Sequence, residues 1–477
     1  MAIIHGIPYQ TFTRDPYEKW AGPEGEGGPG GPGGPDGEGP GGPPPGMPVE
    51  RPTSASLEVI DGKVAVRSEK LAGEVTDAAA KNIRMDLNSD SVGGIYVAGQ
   101  GTEYTVEHAN IRISGEGQGL GGKLSGAAVE DGATLILKDV RINMDSKLRC
   151  ATSAAGGSVL KVYDSMLVSH GAPWNVEEKE VTWVIGPGMA KPPVFLEIEG
   201  NMRTHCTVQN SESYFYNSTI IADSWAALST DAAGDRVYLE ANDCNVITTR
   251  SGYGTYADTG CYCTLNRCNL DVQNMAAIIA GEAGVKLIDC TARCGSYVVL
   301  NHVVGGGPGN AILTQVSSIE IAGGSYRCDE PAVICKSCNS DVLFDGAAIS
   351  SHAGILLKTR VNDDPCAPQP GDRTVYGYHV TLKNMDTANS ILHEDTARRM
   401  TVTLQASTLK GAITGGALLH MDADSRWLAT ADSAIVLNGD ADTAQIDAAA
   451  GVTISAIGAE AAEIALPSGG KLVITAA

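Results

Sequence analysis

One short motif recurs three times in the middle of the chain, as LEANDCNVI (residues 239–247), CTLNRCNLDV (263–272) and VKLIDCTA (285–292). In each copy, β-type residues lead into a polar residue, then a Cys, then more aliphatic residues. The three Cys residues, Cys244, Cys268 and Cys290, follow one another at nearly equal intervals. A fixed period of this length indicates a repeat architecture, in which one supersecondary unit is stacked many times.

The same texture, with β-type residues leading into Asn, Asp or Gly, extends over most of the chain. We place its central residue at Asn110, Asp139, Asp164, Asn217, Asp243, Arg267, Asp289, Gly323, Asp345, Asn384 and Ala406. From Asn217 onward most of the intervals are similar, and the longer ones are compatible with loop insertions. A propeller blade would need about 40 residues throughout, and the pattern of a leucine-rich repeat is missing. The pattern predicts an all-β parallel β-helix with loop insertions, whose coils lie about 4.8 Å apart.

Cysteine use fits a stacked interior. Because Cys behaves as a small buried hydrophobe, we interpret Cys244, Cys268 and Cys290 as an inward thiol stack, with a metal site as the alternative. Cys335 and Cys338 form a C-x-x-C motif, which without a second pair is weak evidence for zinc.

The chain divides by composition into four segments. We expect an N-terminal arm over residues 1–20, a flexible or polyproline-like Gly/Pro-rich linker over 21–50, a parallel β-helix over 51–430, and C-terminal coils or a cap over 431–477. The arm would dock on its own chain or on a neighbour.

Charge and targeting signals exclude several functions. With 34 basic and 56 acidic residues, the net charge of −22 argues against binding to nucleic acid or an anionic membrane surface. The segment over residues 1–20 lacks the features of a signal peptide, and no apolar run is long enough to span a membrane. We therefore expect a cytoplasmic protein with reduced thiols.

A second strand in each repeat ends in a titratable residue. Aligned by their ends, these strands finish at His205, Asp231, Asp258, Glu282, His302, Lys336, Lys358, His393 and His420. The intervals between these residues are close to the motif period. We therefore predict one face of the β-helix on which titratable groups are stacked, about one for every 5 Å of its length. The alternative is an ordinary solvated face that carries charges by chance.

The order of these residues indicates acid–base chemistry. Three carboxylates on successive coils, Asp231, Asp258 and Glu282, cannot all ionise easily, so at least one pKa should rise and give a general acid. His302 would exchange protons near neutral pH together with His205 at the other end of the row. The fixed charge of Lys336 would stabilise a developing anion. On this interpretation the catalytic residues are His205, Asp231, Asp258, Glu282, His302 and Lys336.

Long segments flank the predicted face. Insertions over residues 171–200, 303–318 and 360–378 could wall a groove into a pocket. The predicted substrate-binding residues are Trp225, Tyr253, Tyr256, Lys358 and His393.

The repeat texture over about residues 55–430 resembles the pectin-lyase-like superfamily of right-handed parallel β-helices. In the polygalacturonases of that superfamily, Asp residues on successive coils precede a His and a basic residue, and Asp231, Asp258, His302 and Lys336 look similar in order. The sequence departs from that pattern, since Ser229 and Thr230 stand where an Asn would precede the first Asp. The paired second Asp is also absent. The resemblance therefore implies a fold and not a reaction.

The sequence leaves two function classes open. The first is an enzyme, whether hydrolase, lyase or isomerase, that performs acid–base catalysis on a polyhydroxylated small molecule or a carbohydrate without an organic cofactor. A calcium ion held by Asp231, Asp258 and Glu282 is an alternative that the nearby Lys and His residues disfavour. The second class is a non-catalytic, structural or carbohydrate-binding β-helix of adhesin or phage type. Either could form a homodimer or homotrimer.

Overall fold

The computed structural model describes most of the chain beyond the Gly/Pro-rich segment. The described residues are 52–117, 121–171, 192, 196, 198–231, 236–302, 316–362, 376–437 and 443–476, with two short N-terminal strands. The predicted linker over 21–50, nearly all of the arm and most of the three predicted wall segments lie outside these ranges. The chain divides into two compact units, residues 1–262 and 263–477, which we call the first and second units.

The regular secondary structure of the described residues is nearly all β-strand and includes no α-helix, so the prediction of an all-β chain is confirmed. Two 3-10 helices cover Gly122–Leu124 and Thr443–Gln445. The strands up to residue 257 are β1 Ile3–Ile4, β2 Ile7–Pro8, β3 Ser54–Ile60, β4 Lys63–Arg67, β5 Ala72–Val75, β6 Ala79–Asn88, β7 Val92–Ala98, β8 Glu103–Glu116, β9 Ala127–Glu130, β10 Thr134–Lys147, β11 Cys150–Ala154, β12 Val159–Tyr163, β13 Met166–His170, β14 Arg203–Thr207, β15 Glu212–Tyr216, β16 Thr219–Ala222, β17 Ala226–Thr230, β18 Val237–Asn242, β19 Asn245–Thr248 and β20 Thr255–Ala257.

The remaining strands follow at similar intervals. They are β21 Cys261–Asn266, β22 Asn269–Val272, β23 Ala277–Ala280, β24 Gly284–Ile288, β25 Thr291–Cys294, β26 Val299–His302, β27 Val316–Ala322, β28 Ser325–Cys328, β29 Val333–Lys336, β30 Asn339–Asp345, β31 Ala348–Ser351, β32 Ile355–Arg360, β33 Tyr378–Lys383, β34 Asp386–Thr387, β35 Ser390–His393, β36 Met400–Gln405, β37 Thr408–Lys410, β38 Ala417–Met421, β39 Arg426–Ala429, β40 Ser433–Leu437, β41 Ile446–Ala448, β42 Thr453–Gly458, β43 Ala462–Ala465 and β44 Lys471–Ala476.

Three parallel ladders build the first unit. Strands β6, β8, β10, β12, β15 and β18 pair in that order as ladder 1. The far half of β10 continues through β13, β16 and β19 as ladder 2. Ladder 3 runs β3, β7, β9, β11, β14 and β17. Strands consecutive in sequence therefore fall in different ladders, and strands one repeat apart pair with each other.

The second unit repeats this arrangement. Ladder 1 runs from β24 through β27, β30, β33, β36, β38, β40 and β42 to β44. Ladder 3 contains β23, β26, β29, β32 and β35. Ladder 2 consists of two shorter parallel runs. One contains β22, β25, β28 and β31, and the other contains β34, β37, β39 and β41.

One left-handed residue makes the turn from ladder 1 to ladder 2. The φ angle lies between 46° and 54° at Asp139, Asp164, Asn217 and Asp243, all central residues of the sequence motif. Asn and Asp tolerate this conformation better than most residues, and Gly adopts it without strain. The motif therefore recurs because the same turn recurs. In the earliest copy the left-handed residue is His108 and not the predicted Asn110.

Alternation along the strands builds the interior. In β10, Leu135 and Leu137 are fully buried, while Ile136 between them is partly exposed. Cys244, Cys268 and Cys290 are also fully buried and form no disulfide.

Antiparallel pairs occur at both ends of the described chain, β3 with β4, β5 with β6, and β43 with β44. The described residues over 431–437 and 443–476 thus continue the parallel ladder and end in a hairpin.

Candidate functional site

Two carboxylates of the candidate site face each other on neighbouring strands of the first unit. Ala226 pairs with Tyr253, and Leu228 N donates to Gly254 O at 2.9 Å, which fixes the register of these strands. The same register places Asp258 directly opposite Asp231, just past the strand ends. Parallel neighbours lie about 4.8 Å apart, and Asp231 is close enough to Asp258 to raise the pKa of its carboxyl group.

Arg203 holds one carboxylate of this pair. Its Nη1 donates to Asp231 Oδ2 at 2.9 Å and to Ser229 Oγ at 3.2 Å. The guanidinium carbon lies 4.5 Å from the ring centre of Trp225, so the cation is stacked on an indole face. The Arg203 side chain is only 5% exposed, whereas Asp231 keeps 21% of its side-chain surface in solvent. The ion pair therefore leaves part of the Asp231 carboxylate available to a ligand.

The environment of Asp258 keeps its carboxyl group protonated up to neutral pH. Burial raises the pKa of Asp258 to about 7, and the charge of Asp231 acts in the same direction. The Thr259 backbone N–H, which donates to Asp258 Oδ1 at 2.8 Å, and the Arg203 charge oppose this rise. One member of the pair is therefore an acid near pH 7, which is what a general acid requires.

A hydroxyl network fixes the backbone beneath the pair. Thr230 Oγ1 donates to Tyr256 O at 2.7 Å and accepts a longer hydrogen bond, 3.4 Å, from the Asp258 N–H. The Ser229 and Tyr253 hydroxyls lie 3.1 Å apart. These contacts tie the end of β17 to the segment that follows it by one repeat, so the two carboxyl groups are held by hydrogen-bonded backbone.

The predicted alignment of His205 with Asp231 is wrong. His205 pairs with Leu228, and Asp231 lies opposite the residue after Thr207. Because this difference of three positions is odd, His205 points to the opposite face of the strand. Its ring is fully buried, contacts Thr152 Oγ1 at 2.9 Å and Thr207 Oγ1 at 2.6 Å, and packs edge-on against Phe215. Burial also lowers the pKa of His205 to about 3, so it is a core residue and not a proton shuttle.

Two of the predicted substrate-binding aromatics have a supporting role instead. Trp225 and Tyr253 are both buried, the first under the Arg203 guanidinium and the second against Ser229. Neither ring presents a face to solvent. Tyr256 is partly exposed, with its ring centre 5.6 Å from that of Tyr253, and it lies two residues before Asp258 on the same side of the strand. Tyr256 is thus the predicted aromatic residue that a ligand could reach.

Three further predicted catalytic residues lie in the second unit. In ladder 3, Ala280 pairs with His302, and the register of β26 with β29 places Lys336 opposite His302. His302 is fully buried and Lys336 nearly so. Glu282 is exposed and follows the end of β23 by two residues. The second unit therefore brings His302 and Lys336 together as predicted neighbours, with Glu282 outside their register.

The remaining predicted binding residues, Lys358 and His393, contact other residues of the second unit. Lys358 pairs with Ile334, two residues before Lys336, and its Nζ forms an ion pair with Glu394 at 2.8 Å. His393 pairs with Thr359, so it faces the interior and not the predicted column. Its ring contacts Thr359 Oγ1 at 2.7 Å and the Arg398 carbonyl at 3.0 Å, and burial lowers its pKa. His393 is therefore a core residue.

Sequence reasoning missed Arg203, the cation that completes the pair. Its position at the start of β14 hid it from an alignment that compared only strand ends. A search for long cationic side chains on the neighbouring strand could have found Arg203. Such a side chain can reach a carboxylate that lies several residues further along the next strand.

No protein-family model matches the chain, and no curated protein matches it either. Within the described ranges, no group of three or more His, Cys, Asp or Glu residues could hold a metal ion. In the same part of the chain, no helix has the length and apolar character needed to cross a membrane.

Proposed function

We propose that the chain is a right-handed parallel β-helix enzyme that uses Asp231 and Asp258 as an acid–base pair on a polyhydroxylated small molecule or carbohydrate. The observation that carries the proposal is the carboxyl pair itself, in which Asp258 has a pKa of about 7 beside Asp231, which is paired with Arg203. Carboxyl groups whose environments differ in this way can divide the roles of acid and base.

The spacing favours glycoside hydrolysis with retention of configuration. Carboxyl groups about 5–5.5 Å apart suit a retaining mechanism, and neighbouring parallel strands are about 4.8 Å apart. Asp231 would attack the anomeric carbon while protonated Asp258 gives its proton to the leaving oxygen. Asp258, now a carboxylate, would then take a proton from water as that water cleaves the glycosyl–Asp231 bond. Both carboxyl groups return to their starting states.

The surroundings favour a neutral, hydroxyl-rich substrate. A polyanion would meet the carboxylate of Asp231 and a chain with a net charge of −22. Hydroxyl groups can donate to Asp231, and a sugar ring can pack on the partly exposed Tyr256. A carbohydrate is therefore the preferred class, with elimination and isomerisation as the competing reactions.

The decisive experiment measures turnover by the full chain and by Asp231→Asn and Asp258→Asn variants. The probes are 4-nitrophenyl glycosides and a panel of neutral oligosaccharides, with released reducing ends and product anomer measured by NMR. Each substitution should lower kcat at least about 100-fold, because each removes a group that acts in the transition state. Asp86→Asn is the matched control, since Asp86 is an exposed carboxylate on β6 of the same unit.

The result also separates an enzyme from a binding protein. If the panel gives no turnover but oligosaccharides bind with equal affinity to wild-type protein and both variants, the carboxyl pair has no catalytic role. That outcome would favour the non-catalytic carbohydrate-binding alternative.

A further inference from the structure

A polar groove lies along the turn between ladders 1 and 2 in the first unit. Its volume is about 650 Å³, and residues of successive coils line it. Buried residues such as Ile83 and Val140 lie between two rows of polar side chains. Neither Asp231 nor Asp258 lines this groove, so it is separate from the proposed catalytic site.

The two rows follow from the repeat. One row consists of the left-handed turn residues, whose φ angles lie between 46° and 56°: Asn82, His108, Asp139, Asp164 and Asn217. The other row begins two residues later in each repeat. Its register pairs Arg84 with Asn110, Asn110 with Arg141, Arg141 with Met166, and Met166 with Thr219.

The two ends of the groove differ in hydrogen-bonding chemistry. At the end nearer β6, the exposed side chains of Arg84, Asn110 and Arg141 supply N–H donors. Toward the other end, Asp139 and Asp164 supply carboxylate oxygens, which only accept hydrogen bonds. The groove therefore suits a ligand that has an anionic group at one end and hydroxyl groups at the other.

Arg84 and Arg141 have no counter-charge in the protein. Within the described residues neither side chain forms an ion pair or a hydrogen bond. On the same three strands, Lys81, Arg112 and Lys147 each pair with a carboxylate, at 2.9, 3.2 and 2.9 Å. Two guanidinium groups without a carboxylate are thus an exception in a chain with a net charge of −22.

The carboxylates of the groove itself are hydrogen-bonded to other groups. Asp139 Oδ2 lies 2.8 Å from His108 Nδ1, and Asp164 Oδ1 accepts a hydrogen bond of 2.7 Å from Asn217 Nδ2. These bonds hold the acidic end in place and leave the two guanidinium groups available to an anion from solution.

We propose that this groove binds a phosphate or sulfate ester of a small hydroxyl-rich molecule, such as a hexose phosphate. Because β6 and β10 lie on either side of β8, Arg84 and Arg141 start about 10 Å apart, and both side chains can extend to one oxyanion above Asn110. Two guanidinium forks and an amide match the several oxygens of a tetrahedral oxyanion better than the two of a carboxylate.

The acidic end selects the rest of the ligand. Hydroxyl groups of the sugar can donate to Asp139 and Asp164, whereas a second anionic group would be repelled there. A compound with a single phosphate or sulfate group is therefore favoured over a polyanion.

Isothermal titration calorimetry on the full chain, in low-salt buffer without phosphate, tests the ligand class. The probes are hexose phosphates, hexose sulfates, inorganic phosphate, glucuronate and glucose, and the tighter of the two ester classes identifies the oxyanion. The preferred esters should bind at least about 10-fold more tightly than glucuronate or glucose, and added salt should weaken them. Binding of glucuronate as tight as that of the esters, or no binding of any ester, overturns the proposal. Equal affinity for hexose phosphate and inorganic phosphate overturns its sugar component.

Variants test the two arginines. Arg84→Gln and Arg141→Gln should each weaken binding of the preferred ester at least about 10-fold, because each removes a charged fork from the oxyanion. Arg112→Gln is the matched control, since Arg112 is an arginine on β8 that pairs with Asp145 and does not line the groove. The urea midpoint should stay unchanged in both groove variants, because neither side chain has a partner to lose. Undiminished binding by both groove variants, or an equal loss in the control, would refute the site.

Arginine labelling locates the ligand without any enzymatic activity. The preferred ester should slow modification of Arg84 and Arg141 by phenylglyoxal, measured by peptide mass spectrometry, and leave Arg112 unaffected. Protection of Arg203 in place of these two would move the ligand to the carboxyl pair and overturn the proposal. Asp258→Asn protein should bind the ester as wild-type protein does, so the failure of the catalytic proposal and the failure of this one are distinguishable.

Discussion

Replacement of Asp258 by Asn should change how the stability of the protein depends on pH. The folded-state pKa of about 7 exceeds the ordinary value of 3.8 by about three pH units. The folded protein therefore holds a proton that the unfolded chain releases between these pH values. It follows that the stabilisation from protonated Asp258 is complete below about pH 4 and is lost as the pH rises through 7.

The size of the effect follows from the same difference. Three pH units at about 1.36 kcal/mol each give about 4 kcal/mol, and partial exposure of the carboxyl group to solvent reduces the expected value to about 2–4 kcal/mol. Asp258→Asn has no such titration. Its free energy of unfolding, relative to wild-type protein, should therefore rise by about 2–4 kcal/mol between pH 4 and pH 8.

Urea unfolding followed by circular dichroism and tryptophan fluorescence at pH values from 4 to 8 measures this quantity. The comparison uses the difference between wild type and variant at each pH, because other groups titrate in both proteins. A difference that stays constant within about 1 kcal/mol over this range would show that Asp258 ionises normally. The proposed general acid would then lose its physical basis.

Three further outcomes follow from the same contacts. Arg203→Gln should lower kcat and destabilise the protein by about 3–5 kcal/mol in urea unfolding, because it removes the cation that pairs with the largely buried Asp231 carboxylate. Unchanged stability would contradict the importance of this ion pair. His205→Gln should retain turnover and lessen the loss of stability as the pH falls from about 6.5 toward 3, since burial keeps the native ring neutral; inactivity with an unchanged fold would restore His205 to the catalytic set. Asp422→Asn should give a pH effect of opposite sign to that of Asp258→Asn, because the Ser425 hydroxyl lowers the Asp422 pKa and the stability that this carboxylate contributes is lost as the pH falls below about 4; a urea series extended below pH 4 measures it, and an equal sign would refute the assignment.

The sequence predicted the fold best at positions where the backbone conformation allows only a few residue types. The left-handed turn between ladders 1 and 2 favours Asn, Asp and Gly, so its period was visible in the letters alone. Inward positions on the flanking strands were visible for the same reason, since stacking selects small and aliphatic residues there. These two constraints were enough to predict parallel β-structure with a period of about two dozen residues.

The register of ladder 3 was harder to predict, because no residue marks its strand ends. Alignment by the last polar residue holds for Asp231 with Asp258, which follow the register set by Ala226 and Tyr253. It fails at His205, where the true partner of Asp231 lies three residues later, and at His393, which pairs with Thr359. A shift by an odd number of residues moves a side chain to the other face, so small alignment errors convert surface residues into core residues.

The two histidines also show why buried polar residues resemble catalytic ones in sequence. A stacked interior must satisfy every polar group inside it, and His205 and His393 achieve this by contacting Thr hydroxyl groups on the neighbouring strand, at Thr152 and Thr359. Such contacts recur at the same period as surface residues do, so periodicity alone cannot separate core from site. What separates them is charge: Asp231 has a buried cation and partial exposure, whereas neither histidine has an exposed face. A titratable residue in a repeat protein is therefore a better candidate for chemistry when an opposite charge from another repeat reaches it.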